Sequence, residues 1–71
     1  MSAEHDEEHV TLVAGDLATA EENLATEYLR LIATGVPTWQ AQKQAELQHL
    51  RAVTLARAEL EIAVEQLRRR R

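Results

Sequence analysis

The chain has a single cluster of helix breakers. Thr34-Gly35-Val36-Pro37-Thr38 stands between two segments of about thirty residues that are interrupted elsewhere only by Gly15. Gly35 can adopt the left-handed conformation that ends a helix. Pro37 disfavours the helical conformation at Val36, and the Thr38 hydroxyl can accept from the free N–H groups of a new first turn. One break between two long segments predicts a turn over residues 34–38, with one helix from about 6 to 33 and another from about 39 to 69.

Alanine and leucine dominate the two segments, Phe is absent, and strand-forming residues are sparse. The fold class expected is all-α: a single domain over residues 1–71 built as a two-helix antiparallel, coiled-coil-like hairpin. Gly15 costs about 1 kcal/mol inside a helix relative to alanine. Asp16 could cap a helix that began there, but Val10, Val13 and Leu17 continue one stripe across the glycine. A continuous first helix that frays over residues 1–9 is therefore expected.

In the first segment Val10, Val13, Leu17, Ala20, Leu24, Tyr28 and Leu31 recur at steps of three and four, joined on the same side by Ala14 and Ile32. In the second, Trp39, Leu50, Val53, Leu60, Val64 and Leu67 form the expected seam, interrupted by Glu46 and Arg57. Leu47, Leu55, Ala58 and Ile62 make a separate, narrower strip, and Ala41, Ala45, Ala52, Ala56 and Ala63 a third side. The second helix thus carries more apolar surface than one neighbour can cover. Completion of a four-helix bundle is the expectation, by dimerisation or by a larger protein partner.

Charge favours the same hairpin. Residues 1–35 hold eight acids against Arg30, a balance of −7, whereas residues 36–71 hold four acids against seven bases, a balance of +3. The two halves attract, and each charge cluster sits at the helix end that its sign favours.

Several function classes are excluded or weakened by composition. With no cysteine among 71 residues, disulfides and thiolate metal sites are ruled out. The acidic start has no apolar run, so neither a leader nor a membrane span is expected, and the cytoplasm is the default compartment. No set of residues suggests catalysis, and no cofactor is implied. His5-Asp6-Glu7-Glu8-His9 places two imidazoles one turn apart and matches the letters H-x-x-E-H, but a catalytic zinc needs a third protein ligand and a cleft. His5 and His9 are therefore at most low-ranking candidates for adventitious metal binding. Glu46 and His49 have the Glu-x-x-His spacing of carboxylate-bridged bundle sites, with Glu21 as a conceivable further acid.

The cluster Arg68-Arg69-Arg70-Arg71 is the alternative, nucleic-acid candidate, since each neutralised phosphate releases a counterion. Against it stand a net charge of −4 and the chain's own acidic start as a competing partner. Gln40, Lys43 and Gln44 open the second helix and form a polar, adaptable recognition candidate. Trp39 beside them is expected to close the end of the hairpin against Tyr28 or Leu31 or, if exposed, to anchor a partner.

The segment Ala33–Ala41 resembles the turn of a DNA-reading helix-turn-helix over nine residues. That motif, however, uses a short recognition helix and a third helix, whereas both segments here are long. In architecture alone the layout resembles the Rop type of plasmid RNA-binding hairpin dimer, with no shared motif to carry a residue across. The leading expectation is a small non-enzymatic adaptor of the kind found as a phage or bacterial accessory protein, inhibitor or assembly subunit. Its interaction surface is Leu47, Leu55, Ala58 and Ile62, with Trp39, Gln40, Lys43 and Gln44.

Overall fold

The structure is a computed structural model that describes the backbone of residues 3–69 and the side chains of residues 6–69. Two helices account for nearly all of it: α1, Ala3–Ala33, and α2, Thr38–Arg69. They fold back on each other as an antiparallel hairpin, and the molecule is a rod measuring 52 × 14 × 13 Å. That length is close to the ~48 Å expected of a 32-residue helix at ~1.5 Å per residue.

The turn forms as the breaker cluster predicts. Gly35 takes a positive φ of 95°. Its N–H donates to the Ile32 carbonyl at 3.0 Å, and the Val36 N–H donates to the Leu31 carbonyl at 3.0 Å. These two bonds are the paired closure of a Schellman motif, which satisfies carbonyls that the helix end leaves open. The Thr34 hydroxyl adds a bond to the Leu31 carbonyl at 2.9 Å. At the start of α2 it is the carbonyl of Pro37 that accepts the first helical bond, from the Ala41 N–H at 2.8 Å. Pro37 thus holds the cap position, and Thr38, expected to cap from the turn, is already the first helical residue. Helix α1 runs through Gly15 without a break and begins at Ala3, earlier than the periodicity suggested.

The α1 stripe packs as read from its spacing. Val13 and Leu31 are buried, while Val10, Leu17, Ala20, Leu24 and Tyr28 are half-buried. Ile32 departs from it and faces solvent. On α2 four of the six expected seam residues, Val53, Leu60, Val64 and Leu67, are buried or half-buried, but the seam is centred further round toward the alanines. The residues buried against α1 are Ala41, Ala45, Val53, Ala56 and Ala63, with Leu60, Val64 and Leu67 half-buried beside them. Trp39 and Leu50, placed in the seam by the apolar pattern of the sequence, are 69% and 46% exposed.

The physical reason is complementarity of size across the contact. α1 presents Leu17, Leu24, Tyr28 and Leu31, and the alanines of α2 leave room for large side chains of this kind, while Val53, Leu60, Val64 and Leu67 fill the same side of α2 away from the turn. At about 100° per residue, Trp39 and Leu50 lie more than ~90° round from the alanine line. The alanine side, which hydrophobicity alone ranks lowest, is therefore the one that faces inward.

Candidate functional site

The surface left over on α2 is built by the same choice of seam. With the alanines turned toward α1, Leu47, Leu55 and Ile62 are carried to the outside, where they are 76%, 54% and 59% exposed. Ala58 is exposed between them. At about 100° per residue these four residues centre roughly 130° from the buried seam, on the side turned away from α1. The sequence reading of this strip as unpartnered within one hairpin therefore agrees with the structure. Lys43 is exposed near its turn-proximal end, and Gln40 and Gln44 are half-buried.

Trp39 does not close the end of the hairpin. Its 69% exposure removes the packing role against Tyr28 or Leu31 and leaves a large aromatic surface beside the turn. Leu29 at 63% and Ile32 at 36% are exposed on the neighbouring end of α1. Leu12, at 69%, is a further large apolar side chain on α1 that no stripe in the sequence singled out. The residues at helical spacing from it, Glu8, His9, Gly15 and Asp16, form no apolar row, so periodicity offered no signal for it.

Between the helices, an open groove is lined by Glu21, Leu24, Ala25, Tyr28, Gln42, Ala45 and Glu46. Beyond it, Arg57 donates from Nη2 to Glu21 Oε2 at 3.4 Å, which ties α2 to α1. Arg57 was expected to interrupt the apolar seam of α2; it lies beside that seam and works as a cross-helix anchor. Glu21 and Glu46 thus line one groove, whereas His49, the other half of the Glu-x-x-His spacing, is not among its lining residues. Among the described residues there is no group of three or more metal-ligating side chains close enough to hold an ion. His9 is exposed, and the side chain of His5 lies outside the described residues.

Within α1, Arg30 holds Glu27 through both guanidinium-to-carboxylate bonds, the one from Nε measuring 3.3 Å. The hydrogen bond from Arg30 pulls the Glu27 carboxyl below its ordinary value. Partial burial opposes this, while the charges of Arg30 and, across the hairpin, His49 add to it.

At the basic end, Arg69 pairs with Glu65 one turn back on its own helix at 3.6 Å, and Arg68 is exposed. Arg70 and Arg71 lie outside the described residues. No helix among the described residues is long and apolar enough to cross a membrane.

Fold and surface define a helical hairpin with an uncovered apolar strip along its second helix. No family model matches the chain, and neither the curated proteins nor the solved structures searched contain a match to it.

Proposed function

We propose that this chain is a non-enzymatic interaction module whose incomplete core is finished by a second helical surface docking on the outer face of α2. The observation that carries the reading is the row of exposed Leu47, Leu55 and Ile62 on a helix that is already packed on its other side. An adaptor, inhibitor or assembly subunit of the phage or bacterial accessory kind works through such a face.

Two quantities support it. Among the described residues, four of the seven buried core residues are alanines and no large side chain is fully buried. A core of that kind contributes little of the roughly 1.5–3 kcal/mol available from each fully buried large apolar side chain. The accessible surface is 5397 Å², whereas a compact monomer of 8.0 kDa exposes about 4,450 Å². The excess of about 900 Å² is surface that a rod of only two helices leaves uncovered.

Light scattering on a sizing column over a concentration series, with helicity followed by circular dichroism, tests the reading. Either of two results supports it: a closed assembly of high helicity, or a poorly helical monomer that gains helix when a partner is added. A fully helical monomer whose melting is cooperative and independent of concentration overturns it. Nucleic acid as the partner is the alternative reading, carried by the Arg68–Arg71 cluster. Retention on DNA or RNA that falls steeply with salt and disappears when those four residues are removed would favour it.

A further inference from the structure

The outer strip of α2 has a spacing that also fits its own reverse. Leu47, Arg51, Leu55, Ala58 and Ile62 follow one another at steps of four, four, three and four, and all five are exposed. Read backward about a centre between Thr54 and Leu55, four of the five positions recur: Leu47 exchanges with Ile62 and Arg51 with Ala58, while Leu55 exchanges with Thr54 and lies within about 1.5 Å of axial rise of its own copy. A two-fold interface needs such a surface, since each residue meets the counterpart of the residue that meets it.

We propose that the surface docking on α2 is the α2 of a second copy, running antiparallel about a two-fold axis near Leu55. The inference rests on the reading of the strip as an interaction surface and adds the occupant and its register. In that register Leu47 lies against the partner's Ile62, and Leu55 against the partner's Leu55. The Arg51 stem lies over the partner's Ala58, where the small side chain leaves room for it.

Charge selects the same arrangement. The reversal that pairs the apolar rows brings Lys43 within one residue, about 1.5 Å of axial rise, of the partner's Glu65 on one flank of the strip. Arg51, at the middle of the strip, comes within one residue of the partner's Glu59 on the other flank. All four are exposed, and two-fold symmetry repeats each pair. Glu65 already receives Arg69 from its own helix at 3.6 Å, and a carboxylate has lone pairs for both cations. Arg57, which would otherwise add a like charge, is turned toward Glu21 of α1. Parallel in-register pairing would instead set Arg51, at the middle of the strip, against the partner's Arg51, which like-charge repulsion disfavours.

The chain contains no cysteine, so single cysteines introduced in the full chain report the register directly. Under mild oxidation the Leu55→Cys variant is expected to form a covalent dimer. Leu47→Cys and Ile62→Cys should each remain uncrosslinked alone, because their copies stand about 22 Å apart in this register, and should crosslink when mixed. Self-crosslinking at both 47 and 62 would establish a parallel pairing and overturn the proposal.

A dimer by light scattering that gives none of these crosslinks overturns the register but leaves the interaction surface standing. A poorly helical monomer overturns the second copy as occupant and points to a different protein. A fully helical monomer removes both readings. Independently, Lys43→Glu and Glu65→Lys should each raise the dimer dissociation constant about two- to tenfold, and the two changes together should restore it. Failure of the double variant to recover would overturn the proposed pairing of those residues.

Discussion

Ala45 is 1% exposed and Leu47, two residues further along the same helix, is 76% exposed. The smaller side chain lies in the hairpin's core and the larger in solvent, so substitutions at the two positions have different consequences. Ala45→Leu forces extra volume between the helices and is expected to destabilise the hairpin by about 1–3 kcal/mol. Leu47→Ala leaves that contact untouched and, under the proposed function, is expected to weaken association instead. Thermal melts followed by circular dichroism at several concentrations separate the two: Ala45→Leu lowers Tm at every concentration, whereas Leu47→Ala lowers it mainly where the assembly is populated.

The two glycines respond to alanine with opposite signs. Gly15 lies exposed within α1, and a Cβ there meets nothing within 4 Å, so Gly15→Ala should stabilise by about 1 kcal/mol through helix propensity. Gly35 has equally open space, but its φ of 95° is one that alanine rarely adopts. Gly35→Ala should therefore destabilise by about 1 kcal/mol or more. Urea unfolding of the two variants under identical conditions checks the reversal of sign.

Arg57 and Glu21 are 58% and 52% exposed in their side chains, so the pair joining the helices is screened by solvent. A double-mutant cycle with Arg57→Ala and Glu21→Ala is expected to return a coupling below about 1 kcal/mol that shrinks as salt is added. A coupling several times larger and insensitive to salt would mean that the pair is desolvated, as it would be inside an interface.

Glu27 provides a pH signature. Its carboxyl is held below the ordinary value of 4.5 in the folded chain, first by the hydrogen bond from Arg30. A lowered folded value means that the stabilisation is fully present above the unfolded value and is lost as pH falls through the folded one. NMR titration should find Glu27 still ionised at a pH where an unperturbed glutamate is protonated. Arg30→Ala should move its midpoint back up toward 4.5.

The division of the chain into two helices was legible because the turn is written in local chemistry. Gly35 and Pro37 act through their own backbone preferences, which depend on no distant residue. The α1 stripe was legible for a similar reason: Val13, Leu17, Leu24 and Leu31 repeat at helical spacing with polar residues around them, leaving one apolar side to bury. The outer strip Leu47, Leu55, Ala58 and Ile62 could be read because it is apolar, and because a second, larger apolar row competed with it for the same neighbour.

The sequence by itself determined that there are two helices, where the chain reverses, which side of α1 is inward, and that α2 has apolar surface to spare. Only the tertiary structure decided which side of α2 meets α1. Periodicity ranks sides by hydrophobicity, and on that ranking Trp39 and Leu50 belonged in the core. Packing ranks them by fit: against the large side chains of α1 the line of Ala41, Ala45, Ala56 and Ala63 interlocks, and the rotation that brings it inward turns Trp39 and Leu50 outward. The cross-helix bond from Arg57 to Glu21 follows from that rotation, and no spacing within either helix encodes it.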